Sequence, residues 1–521
     1  MANLNSTGTD FVEGINFAIL SPTHNEETIK TSNVASSLAI AYEAARNAVE
    51  FRSEHLIRQA AIVRILRRRL ILGQSSEKLA LLLVKELIWA RYLKDDSVAA
   101  GKIGEIEEKI DKYRQALKQA ENGQLSEWLL GLAGCEIEES LVFNPYPQLL
   151  INFVAQCLQS QINIVGEESQ KQKDIQIYIA IERAFAKNSE IFITYHLLKA
   201  MFPEWLKASA LDMDRLFGPL IKTKDEIDKD LKYPLALDIK REVTRLSPPF
   251  NVIREMVTRN PEFFENSVKD KSAFDKAVRE ILDALYVENR GKLIRASTRS
   301  IVYIFLTKMV FGLALELPFD LFVGRTNYAA LTINLLFPPA LMFLFNLGVK
   351  IPDGANTQRI VDKIDEYIYG EKSPRIIEVG RKQKRISVFE QIFLALYSLL
   401  FIGVFAFVIW GLNKLHFNPV SQGIFLFFLC VVSFFAFKVR SIARDYVYEE
   451  EKQGFLASLI DFLFLPIIRV GQWISVQITY LNVLGFIFDF IIEAPLKAFL
   501  EVIEEWVRFV RIKKEEIFTQ A

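Results

Sequence analysis

Apolar and polar positions along the chain fall into two patterns, and each predicts its own kind of helix. Between residues 34 and 144 there is no proline, and apolar side chains recur at helical spacing. Ile103, Ile106, Ile110, Tyr113 and Leu117 follow a 3-4-3-4 repeat, and Asn122-Gly123 ends it with a turn signal. The repeat is too short for a free coiled coil and predicts an antiparallel helical hairpin inside one domain. From residue 125 to 232 the helices continue, punctuated by Pro145, Pro147, Pro203 and Pro219. Residues 174–181 alternate briefly like a strand, but their continuation through 182–187 favours a helix. A further helical stretch covers 233–290, with Ser247-Pro-Pro-Phe250 as its clearest turn. No succession of alternating strands interrupts this series, so the expected fold is all-α.

Beyond Ser300 the pattern changes to long apolar runs. Residues 391–413 and 417–437 carry no charge, and each is long enough to cross a hydrocarbon core about 30 Å thick. Only Lys414-Leu-His416 separates them, which predicts a transmembrane hairpin. An uncharged run at 326–349 and a more interrupted one at 301–323 predict a second hairpin, turning at Gly324-Arg-Thr-Asn327. The resulting layout is a flexible N-terminal segment (1–33), helical subdomains (34–124, 125–232 and 233–299) and a first transmembrane hairpin (300–350). A connector with a basic run (351–387), a second hairpin (388–438) and a charged connector with amphipathic interfacial helices (439–521) follow.

In the last segment, small or polar residues recur from Gly454 to Arg511 at close to the helical period, opposite a face of Phe, Leu, Ile and Trp. That arrangement suits helices lying in the membrane interface or against the bundle, bent or broken at Pro466 and Pro495. A further full hairpin would need a tight turn near Gly471, leaving only about 14 residues before Arg469, fewer than a span requires. The pairs Asp461…Arg469 and Asp489…Lys497 echo one another 28 residues apart, either as two similar segments or by chance.

Charge distribution orients the spans. Arg290, Lys292, Arg295, Arg299, Lys350, Arg381, Lys382, Lys384, Arg385, Lys438, Arg440 and Arg444 flank them on one side, against Arg325 and Lys414 on the other. By the positive-inside rule, both termini and the helical domain belong in the cytoplasm, and the protein in the cell membrane. Residues 1–33 lack a basic stretch followed by an apolar run, so no secretory signal is expected. The whole chain has 63 basic and 63 acidic residues. That balance gives no argument for a nucleic-acid partner.

Motifs of chemistry are missing: there is no phosphate-binding glycine loop, His-Glu-x-x-His, Gly-x-Ser-x-Gly or Cys-x-x-Cys. Three scattered cysteines and four histidines imply neither a disulfide framework nor a metal site, and no cofactor is implied. His55 and His196 sit in apolar helical patterns and read as core or boundary residues. Arg64, Arg67, Arg68 and Arg69 form the one dense basic cluster of the helical domain. They read either as an anion or lipid contact, or as a solvated face paired with acids such as Glu77 and Glu86.

In the first span Lys308, Glu316 and Asp320 share about one third of the helix circumference at roughly 100° per residue. Such groups are costly in hydrocarbon and either line a hydrated path or lock helices together. Pro338-Pro339 free backbone carbonyls in mid-span, as broken transporter helices do. The leading expectation is a non-enzymatic, multi-pass membrane protein whose cytoplasmic helical domain binds protein partners, with the bilayer as its other partner and a homo-oligomer open. The alternative is a small transporter or channel using Lys308, Glu316, Asp320, Pro338 and Pro339. A membrane enzyme acting on lipid has no motif behind it.

Overall fold

The computed structural model describes residues 4–20, 29, 53–71, 74–95, 97–142, 144–311, 318–319, 328–347, 354–370, 376–380, 388–448 and 455–481. In chain order the elements begin with α1 (Ser6–Leu20), α2 (Glu54–Ile71), α3 (Ser76–Trp89), α4 (Lys102–Lys118), α5 (Gly123–Leu141), α6 (Tyr146–Gln159) and strand β1 (Ile162–Ile164). There follow α7 (Gln170–Ala184), α8 (Glu190–Met201), the short α9 (Glu204–Lys207), a 3-10 turn (Ala210–Asp212), α10 (Met213–Leu231), α11 (Ala236–Arg259) and α12 (Pro261–Ser267). The remainder is α13 (Lys271–Phe311), α14 (Tyr328–Leu347), α15 (Gly354–Ile368), β2 (Ile377–Val379), α16 (Val388–Lys414), α17 (Pro419–Ile442), a second 3-10 turn (Ala443–Tyr446) and α18 (Phe455–Leu481). The all-α expectation holds. The described residues form two compact units: a central unit of residues 17–159 and 167–240, and a C-terminal unit of 241–482 with 1–16 and 160–166.

The central unit is built around α5, which packs on α2, α4 and α8. Its middle, from Leu129 to Glu138, is buried on all sides. A Cβ at Gly134 would come within 2.6 Å of the Val63 side chain, so the glycine sets how closely α2 and α5 approach. Ile106, Ile110 and Tyr113 are buried, with Ile103 and Leu117 packed partly against the same core. Asn122 starts α5, four residues after α4 ends at Lys118, its side chain accepting from the Leu125 amide at 2.8 Å. Residues 174–181 lie inside α7, as their continuation indicates. Pro219 does not punctuate the fold; it lies within α10, where the Thr223 hydroxyl donates back to its carbonyl.

In the C-terminal unit several expectations need correction. The expected turn at Ser247-Pro-Pro-Phe250 is the middle of α11. Interior proline removes a ladder bond and costs about 3 kcal/mol. Here residues 246–253 are buried all round, and burial of a side chain such as Leu246, Phe250 or Ile253 contributes about 1.5–3 kcal/mol each. Phe250 also stacks on Tyr367 at 4.5 Å. Pro466 likewise lies inside an unbroken helix, α18, whereas Pro495 lies outside the described residues.

The segment expected to be flexible at 1–33 contains α1, whose Phe11, Val12 and Ile15 are buried. Asn5 caps both ends of a junction: its side-chain oxygen accepts from the Gly8 amide at 2.7 Å, and its amide nitrogen donates to the Tyr367 and Gly370 carbonyls that end α15. Thus the connector at 351–387 holds a packed helix, with Ile360, Val361 and Ile364 in the core. β1 and β2 pair in parallel, Ile162 opposite Ile377 and Ile164 opposite Val379. No strand was expected in either place.

Two helices are long and apolar enough to cross a membrane, at Gln391–Lys414 in α16 and Pro419–Val439 in α17. Between them His416 adopts a left-handed backbone (φ 58°), and the Asn418 side chain caps α17 by accepting from the Ser421 amide at 2.7 Å. α17 packs against α13, α14 and α18, whereas α16 meets α18, where the Arg469 guanidinium lies 6.0 Å from the Tyr397 ring. Gly471, where the rejected further hairpin would have had to turn, is a helix crossing. A Cβ there would lie 2.0 Å from the Cys430 carbonyl oxygen of α17. The composition shift near Ser300 falls inside α13, a helix of 41 residues and about 60 Å. The first-hairpin turn at 324–327 and the tail from 482 onward lie outside the described residues.

Candidate functional site

The C-terminal unit places ionisable and polar side chains inside an apolar helix cluster. α13 carries Lys308 on the same side as Leu293 and Ile304, and all three are buried. The Lys308 ammonium lies 4.6 Å from the Phe428 ring centroid on α17, an attraction worth about 2 kcal/mol or more when desolvated. On α14, fully buried Asn334 donates to the Ser421 carbonyl of α17 at 3.4 Å. Pro338 has no amide to return to the Asn334 carbonyl, so side chain and backbone polarity meet at one position. Ser433 of α17 is fully buried as well. Glu316 and Asp320 lie outside the described residues. Sequence spacing singled out Lys308 but missed Asn334 and Ser433, because one uncharged polar residue in an apolar run is a faint signal.

In the central unit two members of the arginine cluster are drawn inward. Arg68 donates to Glu86 at 2.5 Å and Arg69 to the same carboxylate at 2.8 Å, with Glu86 completely enclosed. Arg67 pairs with Glu127 and Arg64 is half-buried. The pairing with Glu86 is the kind one of the two readings of this cluster expects, but the face is solvated only in part: Arg69 is 4 % exposed, whereas the Arg67–Glu127 pair is exposed.

A second set of buried charges comes from α5. Glu136 accepts from the Lys112 ammonium at 2.6 Å and from the Tyr113 hydroxyl at 2.7 Å, and the Trp205 indole donates to that hydroxyl at 3.2 Å. Glu138 accepts from Arg58, and Glu139 from Tyr195 and Lys199. Burial raises the Glu138 carboxyl against the pull of Arg58. For Glu139 burial acts upward too, but the hydrogen bonds from Lys199 and Tyr195 hold it below the ordinary range.

His55 and His196 belong to one chain of hydrogen bonds. His55 Nε2 meets the Asn188 side-chain oxygen at 2.8 Å, Asn188 donates to Glu182 at 2.5 Å, and His196 Nδ1 meets the other Glu182 oxygen at 2.8 Å. Because Asn188 gives its amide hydrogens to the carboxylate, its oxygen faces His55, which must donate from Nε2. Burial raises the Glu182 carboxyl, but the bonds from His196, Asn188 and Tyr178 bring it below its usual value.

Burial also holds the His55 imidazole below its ordinary 6.5, outweighing the Asn188 bond; Arg58 and His196 push the same way and Glu182 opposes. The folded state therefore binds this proton less tightly than the unfolded chain. Stability from His55 is intact above about pH 6.5 and falls as pH drops through the folded value. His55→Gln is expected to flatten that decline. The separate loss below about pH 4.5, from Glu139 and Glu182, should remain. Denaturation midpoints measured against pH check this; an unchanged slope below pH 6.5 in the variant would refute it.

These networks saturate the carboxylates with cations and donors of the same unit. Among the described residues no group of three or more His, Cys, Asp or Glu could hold a metal ion. Comparison with protein-family models, with curated proteins and with solved structures returns no match for this chain.

Proposed function

We propose that this is a multi-pass integral membrane protein with both termini in the cytoplasm, whose central helical unit is a docking platform for other proteins. The reading rests above all on α16. Its most apolar 18 residues have a mean hydropathy of 2.7 and none of them is buried within the protein, burial beginning only near the end at Leu412, so hydrocarbon is the environment that satisfies them. The most apolar part of α17 is 44 % buried and supplies the centre of the bundle, with α14 and the end of α13 as the other hairpin and α18 lying against α17. The platform reading is supported by the internal pairing of the central unit's buried charges, which leaves recognition to its surface. There Leu211 stands 95 % exposed.

Orientation has a direct test. A cysteine at Leu415, in the turn after α16, is expected to label from outside intact cells with an impermeant maleimide. One at exposed Glu378 is expected to label only after permeabilisation. The reverse pattern would refute the orientation. For the platform, a photo-crosslinker at Leu211 in native membranes is expected to give a discrete adduct with a second polypeptide.

Transport is the second reading, and the buried Lys308 ammonium is the observation that favours it. Solute or ion flux in proteoliposomes decides between the two. Flux abolished by Lys308→Met at unchanged thermal stability would replace the platform reading.

A further inference from the structure

One outward face of α13 changes character within a single turn. At 100° per residue, Lys292, Arg295, Arg299, Val302, Leu306 and Met309 fall within an arc of about 100°. All six are exposed. Buried Leu293, Ser297, Ile304 and Lys308 occupy the opposite side of the helix. The exposed face is therefore basic up to Arg299 and apolar from Val302, only about 4.5 Å further along the axis.

Such a step is what a helix presents on passing from headgroups into hydrocarbon. The basic residues span about 10 Å, enough to cross a polar headgroup layer of roughly 5–7 Å and reach its aqueous edge. No acidic residue occurs between Asn289 and Phe311 to neutralise them. Lys292 is partly engaged by Glu288 at 2.8 Å, which Arg259 also contacts, so among the described residues the two arginines carry most of the charge on this face that no carboxylate engages. Gly291 gives Arg295 room, since a Cβ there would come within 3.2 Å of the guanidinium. Helical side chains lean towards the N-terminus, which points both guanidinium groups back towards the aqueous side.

We propose that Arg295 and Arg299, assisted by Lys292, form a binding site for the phosphate headgroups of anionic phospholipids in the cytoplasmic leaflet. Guanidinium suits this ligand because its planar fork donates two parallel hydrogen bonds to phosphate oxygens. The site rests on the membrane reading above and adds to it a preference for one lipid class. Attraction of a basic residue to an anionic surface corresponds to about a fivefold change in association per residue.

The test uses the full-length protein reconstituted in phosphatidylcholine vesicles, with trace phosphatidylglycerol or phosphatidylcholine spin-labelled on the acyl chain. Electron paramagnetic resonance then gives the motionally restricted fraction of each lipid at fixed salt. Wild-type protein is expected to restrict the phosphatidylglycerol label preferentially. The ratio should fall about fivefold for each arginine in R295Q and R299Q, and fall less in R295K/R299K, which keeps the charge but loses the bidentate fork. R290Q, on the opposite side of the helix, should leave the ratio unchanged. Millimolar inorganic phosphate should not compete.

A ratio near one for the wild type, or an unaltered ratio in R295Q/R299Q, would overturn the site. So would equal loss in R290Q, which would mean total charge rather than this face. Competition by free phosphate would mean a soluble-anion site and overturn the lipid assignment. Absence of any restricted component for either label would instead refute the membrane reading itself, so the two failures are distinguishable.

Discussion

Replacing Glu136 with alanine is expected to destabilise the central unit by about 3–5 kcal/mol, a large share of a domain's total stability. The carboxylate is buried with its partners. Without it the Lys112 ammonium keeps only the Trp205 carbonyl at 3.2 Å and the Tyr113 and Trp205 ring faces at 5.1 Å. Burial already holds Lys112 below its ordinary pKa, with Glu136 opposing that shift, so the variant should leave the lysine neutral or draw water into the core. Tyr113 would also lose the acceptor for its hydroxyl hydrogen. The triple replacement Lys112→Met, Tyr113→Phe, Glu136→Leu removes all three groups together and is expected to recover most of the loss, because a desolvated pair contributes little beyond well-packed apolar side chains. Hydrogen exchange of peptides from α4 and α5 in the full-length protein reads both effects. A single variant within about 1 kcal/mol of wild type, well below the range for breaking a buried pair, would show that the network is not enclosed as described.

The second large effect is expected at Gly471. Leucine there must push α18 away from α17, since the first added carbon would overlap the Cys430 carbonyl oxygen and come within 2.8 Å of the Phe434 Cβ. Backbone cannot yield as a flexible side chain does, so the cost should reach the upper end of the 1–3 kcal/mol typical of overpacking, about 3 kcal/mol. On the proposed membrane reading such close approaches matter all the more, because lipid supplies no hydrophobic drive between helices. A fall in the thermal midpoint of the detergent-solubilised protein is the readout. Gly403→Ala and Gly411→Ala on α16 are the matched controls: an added Cβ meets nothing within 4 Å at either site, and little change is expected. Equal destabilisation at all three glycines would reduce the effect to helix propensity and remove the crossing.

Other glycines and prolines show how far local rules reach. Asn122-Gly123 reads correctly as a boundary because capping is a local event, completed by an amide three residues away. Pro219, Pro248, Pro249 and Pro466 read as breaks and lie inside helices instead. For Pro248 and Pro249 burial on every side of α11 outweighs the missing ladder bond, and burial is set by elements far along the chain. β1 and β2 are invisible for the same reason: three residues such as Ile162–Ile164 have no periodicity of their own and exist as a strand only through their pairing with Ile377–Val379.

Apolar periodicity and run length by themselves determined that the chain is helical, that it holds a hairpin of two apolar helices at 388–442, and that Lys308 stands apart in an apolar context. Those properties depend on residues within a few turns of one another, so composition and spacing carry them. Tertiary structure decided which charges meet. Lys112 and Glu136 are 24 residues apart, and Arg58 and Glu138 are 80 apart. It also turned Arg68 and Arg69 inward onto Glu86, and it made Gly471 a point of contact between two helices. In each case the deciding quantity is desolvation, which belongs to a packed interior and not to any stretch of sequence.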